Sequence, residues 1–260
     1  MRILIDYRHA LRARTGVGEY MHELTRAYTA ANDSEVAVLT SSWKDRPPPG
    51  LGGELGARVV DARIPVRVLN ALWHRAGWPP VEWLAGRTDV IHAAHPLLIP
   101  ASQAAQVVTI HDLFFLDHPE RTRAEIRRDY PALAGAHARR ADAVVTSSRH
   151  VKRLIAERFA IDPDRIYVCS PGAPAWTTLG AAPHVPADGY ILFVGTLEPR
   201  KNIGTLLDAY ERLLARRLDA PRLVLAGAAR PEAQRWLDRL ERPPLKGRAS
   251  HLGYVPEDRR

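Results

Sequence analysis

The sequence predicts an α/β protein built on parallel sheets, in two successive units of which the second is incomplete. Three observations predict it. Short apolar or β-branched runs alternate with helical periodicities along most of the 260 residues, the pattern of helical layers around a parallel sheet. The alternation pauses once, between Ser170 and Gly189, in a stretch rich in proline and glycine and without periodicity. It then restarts and runs out after two clear strands, short of the roughly 150 residues common for an open α/β domain. The expected boundaries are a first unit over 1–172, a linker over 173–188 and a partial second unit over 189–260.

In the first unit, Ile3-Leu4-Ile5 reads as a strand. The helix after it, from about Gly18 to Ala31, carries Tyr20, Met21, Leu24, Ala27 and Tyr28 at helical spacing. Val36 to Leu39 reads as the second strand, and Trp43 to Gly56, with its prolines and glycines, as a loop. Val90-Ile91-His92, Val107 to Ile110 and Ala143 to Thr146 are further buried strands. Helices follow over about Arg121–Arg140 and Ser148–Phe159, and Ile166-Tyr167-Val168 closes the unit. In the second, a buried strand Tyr190–Val194 leads to a helix over Asn202–Arg217. A strand Leu223–Gly227, a helix Pro231–Leu240 and the edge of a third strand near His251 follow.

Composition narrows the classes. A hydrophobic share of 46% with 25% charged residues is that of an ordinary soluble globular chain. The single cysteine excludes a disulfide framework and suits a reducing cytoplasm. Beside an apolar strand, Cys169 is expected to be a small buried side chain rather than a nucleophile. The net charge is +8, yet only four of the 37 basic residues are lysine, a bias that a GC-rich genome would also produce. A basic surface favours anionic sugar nucleotides and the anionic face of a membrane. The basic residues are dispersed and form no nucleic-acid motif, so no nucleic-acid partner is expected. Charges from Arg2 and Asp6 onward leave no apolar core for a signal peptide. No stretch approaches the ~20 apolar residues of a spanning helix. The expected location is cytoplasmic, extending to a peripheral contact with the inner face of the membrane.

The run Gly195-Thr196-Leu197-Glu198-Pro199-Arg200-Lys201-Asn202-Ile203 carries the most chemistry. A strand ending in glycine, a short loop with Arg200 and Lys201, and a helix start together suit a phosphate. Gly16-Val17-Gly18 opens the first helix in a similar way, although the third glycine of a dinucleotide fingerprint is absent. An ordinary turn is the competing reading there. His111-Asp112 directly follows a buried strand and so lies on the ligand side of an open sheet; the competing reading is a histidine that caps the next turn. His9, His92 and His95 lack a helix and an acidic third ligand, so no metal is expected; they line a cleft or cap strands. Trp73, Trp78 and Trp83, interleaved with His74, Arg75 and Arg87, suit a lipid or sugar surface, or a short helix packed on a domain edge.

Taken in order, these motifs resemble the family 4 glycosyltransferases of GT-B fold, with two Rossmann-like doubly wound domains. The resemblance covers essentially the whole chain. It implies hexosyl transfer with retention, from a nucleotide-diphosphate sugar to a hydroxyl of a glycan, polyprenol-linked or lipid acceptor. No metal or cofactor is implied, since the nucleotide sugar is a substrate. GDP-mannose is the donor suggested by the Thr-Leu-Glu-Pro-Arg-Lys-Asn variant. His111 would contact the transferred sugar. Gly16, Gly18, Lys201 and Arg200 would hold the donor diphosphate, beside the donor loop Gly195, Thr196 and Glu198. The base would lie near Gly253, Tyr254 and Val255, and Leu225-Ala226-Gly227 matches a strand-to-glycine turn of the donor domain. Two departures stand out. Thr196 occupies a position often held by arginine, and no Glu-x7-Glu pair in a glycine-rich apolar context follows Lys201, so a truncated product is expected. An inactive or binding-only fragment, or an NAD-dependent sugar-nucleotide epimerase or dehydrogenase, are the alternatives.

Overall fold

The computed structural model describes residues 1–11, 14, 16–31, 34–122, 124–173, 189–217 and 219–256. It divides into two units, Met1–Pro174 and Ala175–Arg260. Beyond residue 173, the expected linker over 173–188 lies outside the described residues.

The first unit is built on seven parallel strands: β1 (Arg2–Asp6), β2 (Glu35–Thr40), β3 (Arg58–Asp61), β4 (Val90–Ala93), β5 (Ala105–Thr109), β6 (Ala143–Thr146) and β7 (Ile166–Val168). Their spatial order is β3-β2-β1-β4-β5-β6-β7, and every pairing is parallel. The order turns back beside β1, the arrangement whose ligand side is the carboxyl end of the strands. Period-two alternation divides the core. Ile3 and Ile5 pack with Val36, Val38 and Met21 under α1 (Gly16–Ala31). Leu4, on the opposite face, packs with Leu39, Ile91, Val108 and Val144. That second face is covered by α6 (Ala124–Arg140) and α7 (Arg149–Phe159), through Ala134, Ala138, Ile155 and Phe159. Ser148 starts α7 by accepting the Val151 amide at 3.2 Å, an N-cap bond.

Several elements differ from the sequence expectation. The helix α1 begins at Gly16 rather than Gly18. Within the expected loop Trp43–Gly56 the chain forms α2 (Leu51–Leu55). Two glycines disfavour this helix, but Leu51 and Leu55, one turn apart, are buried against the α1-side core. β3 has only two apolar residues and was not anticipated; as an edge strand it pairs with β2 alone. Before β4 come three short helical pieces: α3 (Val66–Ala71), a π-helical turn (Leu72–Ala76) and α4 (Glu82–Ala85). A fourth, α5 (Phe114–Asp117), follows β5. Cys169, just past β7, is exposed rather than buried, because it lies beyond the last strand of the sheet.

The second unit has three parallel strands, β8 (Tyr190–Val194), β9 (Arg222–Ala226) and β10 (Ala249–His251), in the order β10-β9-β8. Its helices are α8 (Ile203–Arg216) and α9 (Gln234–Leu240). Leu207, Tyr210, Leu223, Leu225 and Trp236 form its core. β8 is not the buried strand expected. Tyr190, Leu192 and Val194 are 42%, 49% and 66% exposed, while Ile191 and Phe193 pack inward. An edge strand covered on one face buries only alternate residues. Among the described residues, no helix is long and apolar enough to cross a membrane.

Candidate functional site

At the carboxyl ends of the first unit's strands, two polar groups form on opposite faces of the sheet. On the α1 face, His92 pairs in register with Ile5 and therefore points toward α1. Its Nε2 lies 2.7 Å from Thr109 Oγ1. His111 follows two residues later. Its ring meets Tyr20 edge-on, with centroids 4.9 Å apart and planes at 87°. Its Nε2 is buried without a partner among the described residues. In the tautomer protonated at Nδ1, Nε2 can accept a hydroxyl proton. Burial lowers the His111 pKa against the opposing pull of Asp112 and the Ala94 carbonyl, and the ring is neutral near pH 7. Asp112, exposed, accepts the Phe114 amide at 3.0 Å and shapes the turn into α5.

Of the two glycines expected beside this group, Gly16 is exposed and Gly18 buried. A Cβ on Gly16 would meet nothing within 4 Å, whereas one on Gly18 would lie 2.8 Å from the His9 carbonyl oxygen. Gly18 thus has a packing role, letting α1 approach the 3-10 turn Arg8–Ala10. Gly16 is free to present its backbone at the helix start.

The opposite face carries a buried ion pair that the sequence did not reveal. Asp6, at the end of β1, accepts Arg8 Nε and Nη2 at 2.8 Å each. Arg8 also donates to Asn70 at 2.8 Å and lies 4.8 Å over the Trp73 ring. Burial would raise the Asp6 pKa, but the Arg8 charge and the bonds from Arg8 and His95 hold it well below the usual carboxylate range. The missing acidic neighbour of His9 and His95 is therefore present: ligand atoms of Asp6, His9 and His95 lie within 4.8 Å of one another. They do not fit a metal. Leu97 N–H donates to His95 Nδ1 at 3.2 Å, so Nε2 carries the proton and donates to Asp6 at 3.0 Å. The Arg8 guanidinium already supplies the cation. His92, on the other face, is not part of this cluster. Trp73 is buried and donates to the Pro79 carbonyl at 3.0 Å; Trp78 and Trp83 are exposed and pack edge-on at 5.6 Å.

In the second unit the three strand ends are joined by their glycine turns. Gly195 N–H donates to Ala226 at 2.8 Å and Leu197 N–H to Ala228 at 2.9 Å. Gly227 N–H donates to the Gly253 carbonyl at 2.7 Å, and His251 Nε2 lies 2.8 Å from the Gly227 carbonyl. Gly227 has φ 144°, and a Cβ there would sit 2.0 Å from the Gly195 oxygen. No other residue fits this approach. The stitched base carries the loop Thr196–Asn202. Leu197 is its buried anchor, and Pro199–Lys201 form a 3-10 turn. Asn202, at φ 54°, precedes α8 without a side-chain cap, leaving the first amides of α8 to other partners. Glu198 holds Arg200 at 2.7 Å. Lys201 is exposed and has no ion-pair partner among the described residues. Thr196, half-buried, opens the loop, and Gly253, Tyr254 and Val255 follow Leu252 just past β10.

The fold agrees with comparisons to known proteins. The profile of Glycosyltransferase Family 4 matches residues 14–175. The chain belongs to Glycosyltransferase Family 4. This glycosyltransferase chain is similar to the O-antigen chain mannosyltransferase B of Escherichia coli, with 28% identity over 266 residues, 94% of this chain and 68% of that protein. Its fold is that of GT-B glycosyltransferases. HepE of Anabaena, solved with UDP and glucose, matches 99% of the chain and 70% of its own, with TM-score 0.60 at 18% identity. A variant of S. aureus TarM, solved with fondaparinux, α-GlcNAc-glycerol and UDP, matches 98% and 77%, with TM-score 0.63 at 10% identity.

Tyr20, Thr109 and the Asp6–Arg8–His95 group were not singled out from sequence. A signal existed for Thr109, which shares a strand face with His92 and precedes His111 by two residues. None existed for Asp6 and His95, which are 89 residues apart.

Proposed function

We propose that this chain transfers a hexosyl group from a nucleotide-diphosphate sugar to a hydroxyl acceptor of a glycan or glycolipid. The observation that carries the reading is the second unit's loop: stitched glycine turns, the uncapped N-terminus of α8 and Lys201 without an acidic partner among the described residues. As the bond to the sugar breaks, negative charge grows on the leaving diphosphate. A lysine ammonium and helix-start amides stabilise that charge without reorganising. Arg200, tied to Glu198, supports the loop. In the first unit, Gly16 offers its amide at the start of α1, and His111 Nε2 accepts a hydroxyl of the transferred sugar. Retention, transfer without a metal, and a polysaccharide or lipid-linked acceptor reached from the cytoplasmic side complete the reading.

Mannose from GDP-mannose is the proposed donor, supported by the similarity to an O-antigen mannosyltransferase; UDP in the HepE and TarM structures makes UDP-glucose the comparison to run. Calorimetric titration with both nucleotide sugars tests the reading. Lys201→Ala should weaken donor binding by about tenfold or more, since a hydrogen bond to a charged group is worth about 1.5–3 kcal/mol. Its melting temperature should not move. Unchanged affinity would remove Lys201 from the site, and absence of binding by the unaltered chain would refute the reading.

A further inference from the structure

We propose that the segment around Trp78 and Trp83 is a docking surface for an anionic lipid bilayer. It extends the lipid-linked acceptor of the proposed function, and vesicle binding reads it without turnover. The three tryptophans of this segment part company. Trp73 is 2% exposed, whereas Trp78 and Trp83 are 51% and 69% exposed and meet each other edge-on at 5.6 Å. Side chains this large usually bury most of their surface. Here the backbone between them is held and the rings stay outside. The Pro79 carbonyl accepts the Trp73 indole N–H at 3.0 Å, and the N–H of buried Val81 donates to Pro100 at 2.8 Å. Exposed apolar surface on a held backbone marks a contact surface.

Charge selects the partner. Residues 62–88 hold four arginines, Arg63, Arg67, Arg75 and Arg87, all exposed, against the single acid Glu82. Along α3 and the π-helical turn, Leu69 and Trp73 enter the core, while Arg67, Val68, Ala71 and Arg75 are exposed. Cations and apolar residues thus share the outer face. The neighbouring acids are engaged elsewhere. The Glu82 carboxylate accepts the Ser102, Gln103 and Ala104 amides at 3.0, 3.1 and 3.3 Å, and Asp89 accepts the Arg2 amide at 2.7 Å. Asp61 pairs with Arg46, and Asp129 with Arg128, at 2.6 Å each. Arginine and tryptophan together suit the head-group layer of a bilayer, guanidinium on lipid phosphate and indole at the acyl boundary. Two other occupants suit the surface less. A second copy would set like charges face to face. A sugar at the transfer site is out of reach: the bonds of Glu82 place its neighbour Trp83 at the amino end of β5. His111 follows the carboxyl end of that strand, about 17 Å away.

Flotation of the 260-residue chain with vesicles rich in phosphatidylglycerol tests the surface, against vesicles of phosphatidylcholine alone. The chain should float with the first and not with the second, and brominated lipids should quench its tryptophan fluorescence. Trp78→Ala with Trp83→Ala should reduce that quenching and weaken vesicle binding by about tenfold or more, the effect of burying one large apolar side chain. Arg75→Gln with Arg87→Gln should weaken it by about twentyfold, at about fivefold for each cation near an anionic surface. Lys152→Gln with Arg153→Gln, on α7, is the charge-matched control and should change binding little. Melting temperature and nucleotide-sugar affinity should stay unchanged in every variant. An equal loss in the α7 control would show that net charge alone drives binding, and would overturn the proposal. Quenching by a soluble glycan, or a dimer that Trp83→Ala dissociates, would overturn it in favour of a sugar or a second copy. Absence of vesicle binding beside intact nucleotide-sugar binding would remove the surface alone. Vesicle binding without nucleotide-sugar binding would uphold the surface and count against the transfer reading.

Discussion

Replacing Gly227 by alanine should dismantle the Thr196–Asn202 loop of the second unit from below. The added Cβ would lie 2.0 Å from the Gly195 oxygen, 2.5 Å from its carbonyl carbon and 3.2 Å from the Thr196 nitrogen. Carbon and oxygen approach to about 3.3 Å in favourable contacts, so the turns must separate by more than about 1 Å. All three nearest atoms are backbone, so no side chain can rotate aside. The bonds at stake are Gly195 to Ala226 at 2.8 Å, Gly227 to Gly253 at 2.7 Å and His251 to Gly227 at 2.8 Å. At about 1 kcal/mol net for each bond, plus about 1–2 kcal/mol for an alanine at positive φ, the cost is about 4–5 kcal/mol. That is a large fraction of the stability of an ordinary domain. Urea denaturation followed by Trp236 fluorescence measures it, with Gly53→Ala as the control, since nothing lies within 4 Å of a Cβ there. Donor binding should fall along with stability. A Gly227→Ala chain as stable as the control, with donor affinity intact, would refute the role of this close approach.

Gly18→Ala should lower the melting temperature by several degrees, because its Cβ meets the His9 carbonyl at 2.8 Å and overpacking costs about 1–3 kcal/mol; Gly16→Ala should leave it unchanged or raise it, and equal effects would refute the assignment. Asp6→Asn should cost about 3–5 kcal/mol in urea unfolding by leaving the Arg8 guanidinium buried without its counter-charge. The pair Asp6→Leu with Arg8→Met should cost much less, and an equally large loss would show that packing rather than charge dominates. Burial holds His74, His92 and His137 near pKa 4, below the usual value of about 6.5. The unfolded chain therefore takes up these protons first, and stability present above pH 6.5 is lost as pH falls through 4. At pH 5 each histidine should cost about 2 kcal/mol, whereas Asp6, also depressed, still contributes there. Thermal melts between pH 7.5 and 5.0 should fall accordingly, and a flat profile would refute the burial of these rings as neutral groups.

Much of this molecule was legible before any fold was known. Alternating apolar runs announced parallel strands, and the polar residues just after them, His111 and the Gly195–Ile203 loop, stand at the carboxyl ends of β5 and β8. Local periodicity encodes which element forms and where it ends, so strand-end residues are readable one at a time. Other features needed the tertiary structure. Gly227 is required because the backbone of Gly195, 32 positions earlier, passes against it. Tyr190, Leu192 and Val194 look like core residues in sequence, yet an uncovered sheet face leaves them exposed. Asp6 and His95 carry no mark of each other until β1 and β4 are neighbours. Sequence alone settled the α/β class and the positions of the polar strand ends. Only the register of strands distant along the chain decided which polar groups meet, because a buried charge or hydroxyl is set by the partner it finds across the sheet.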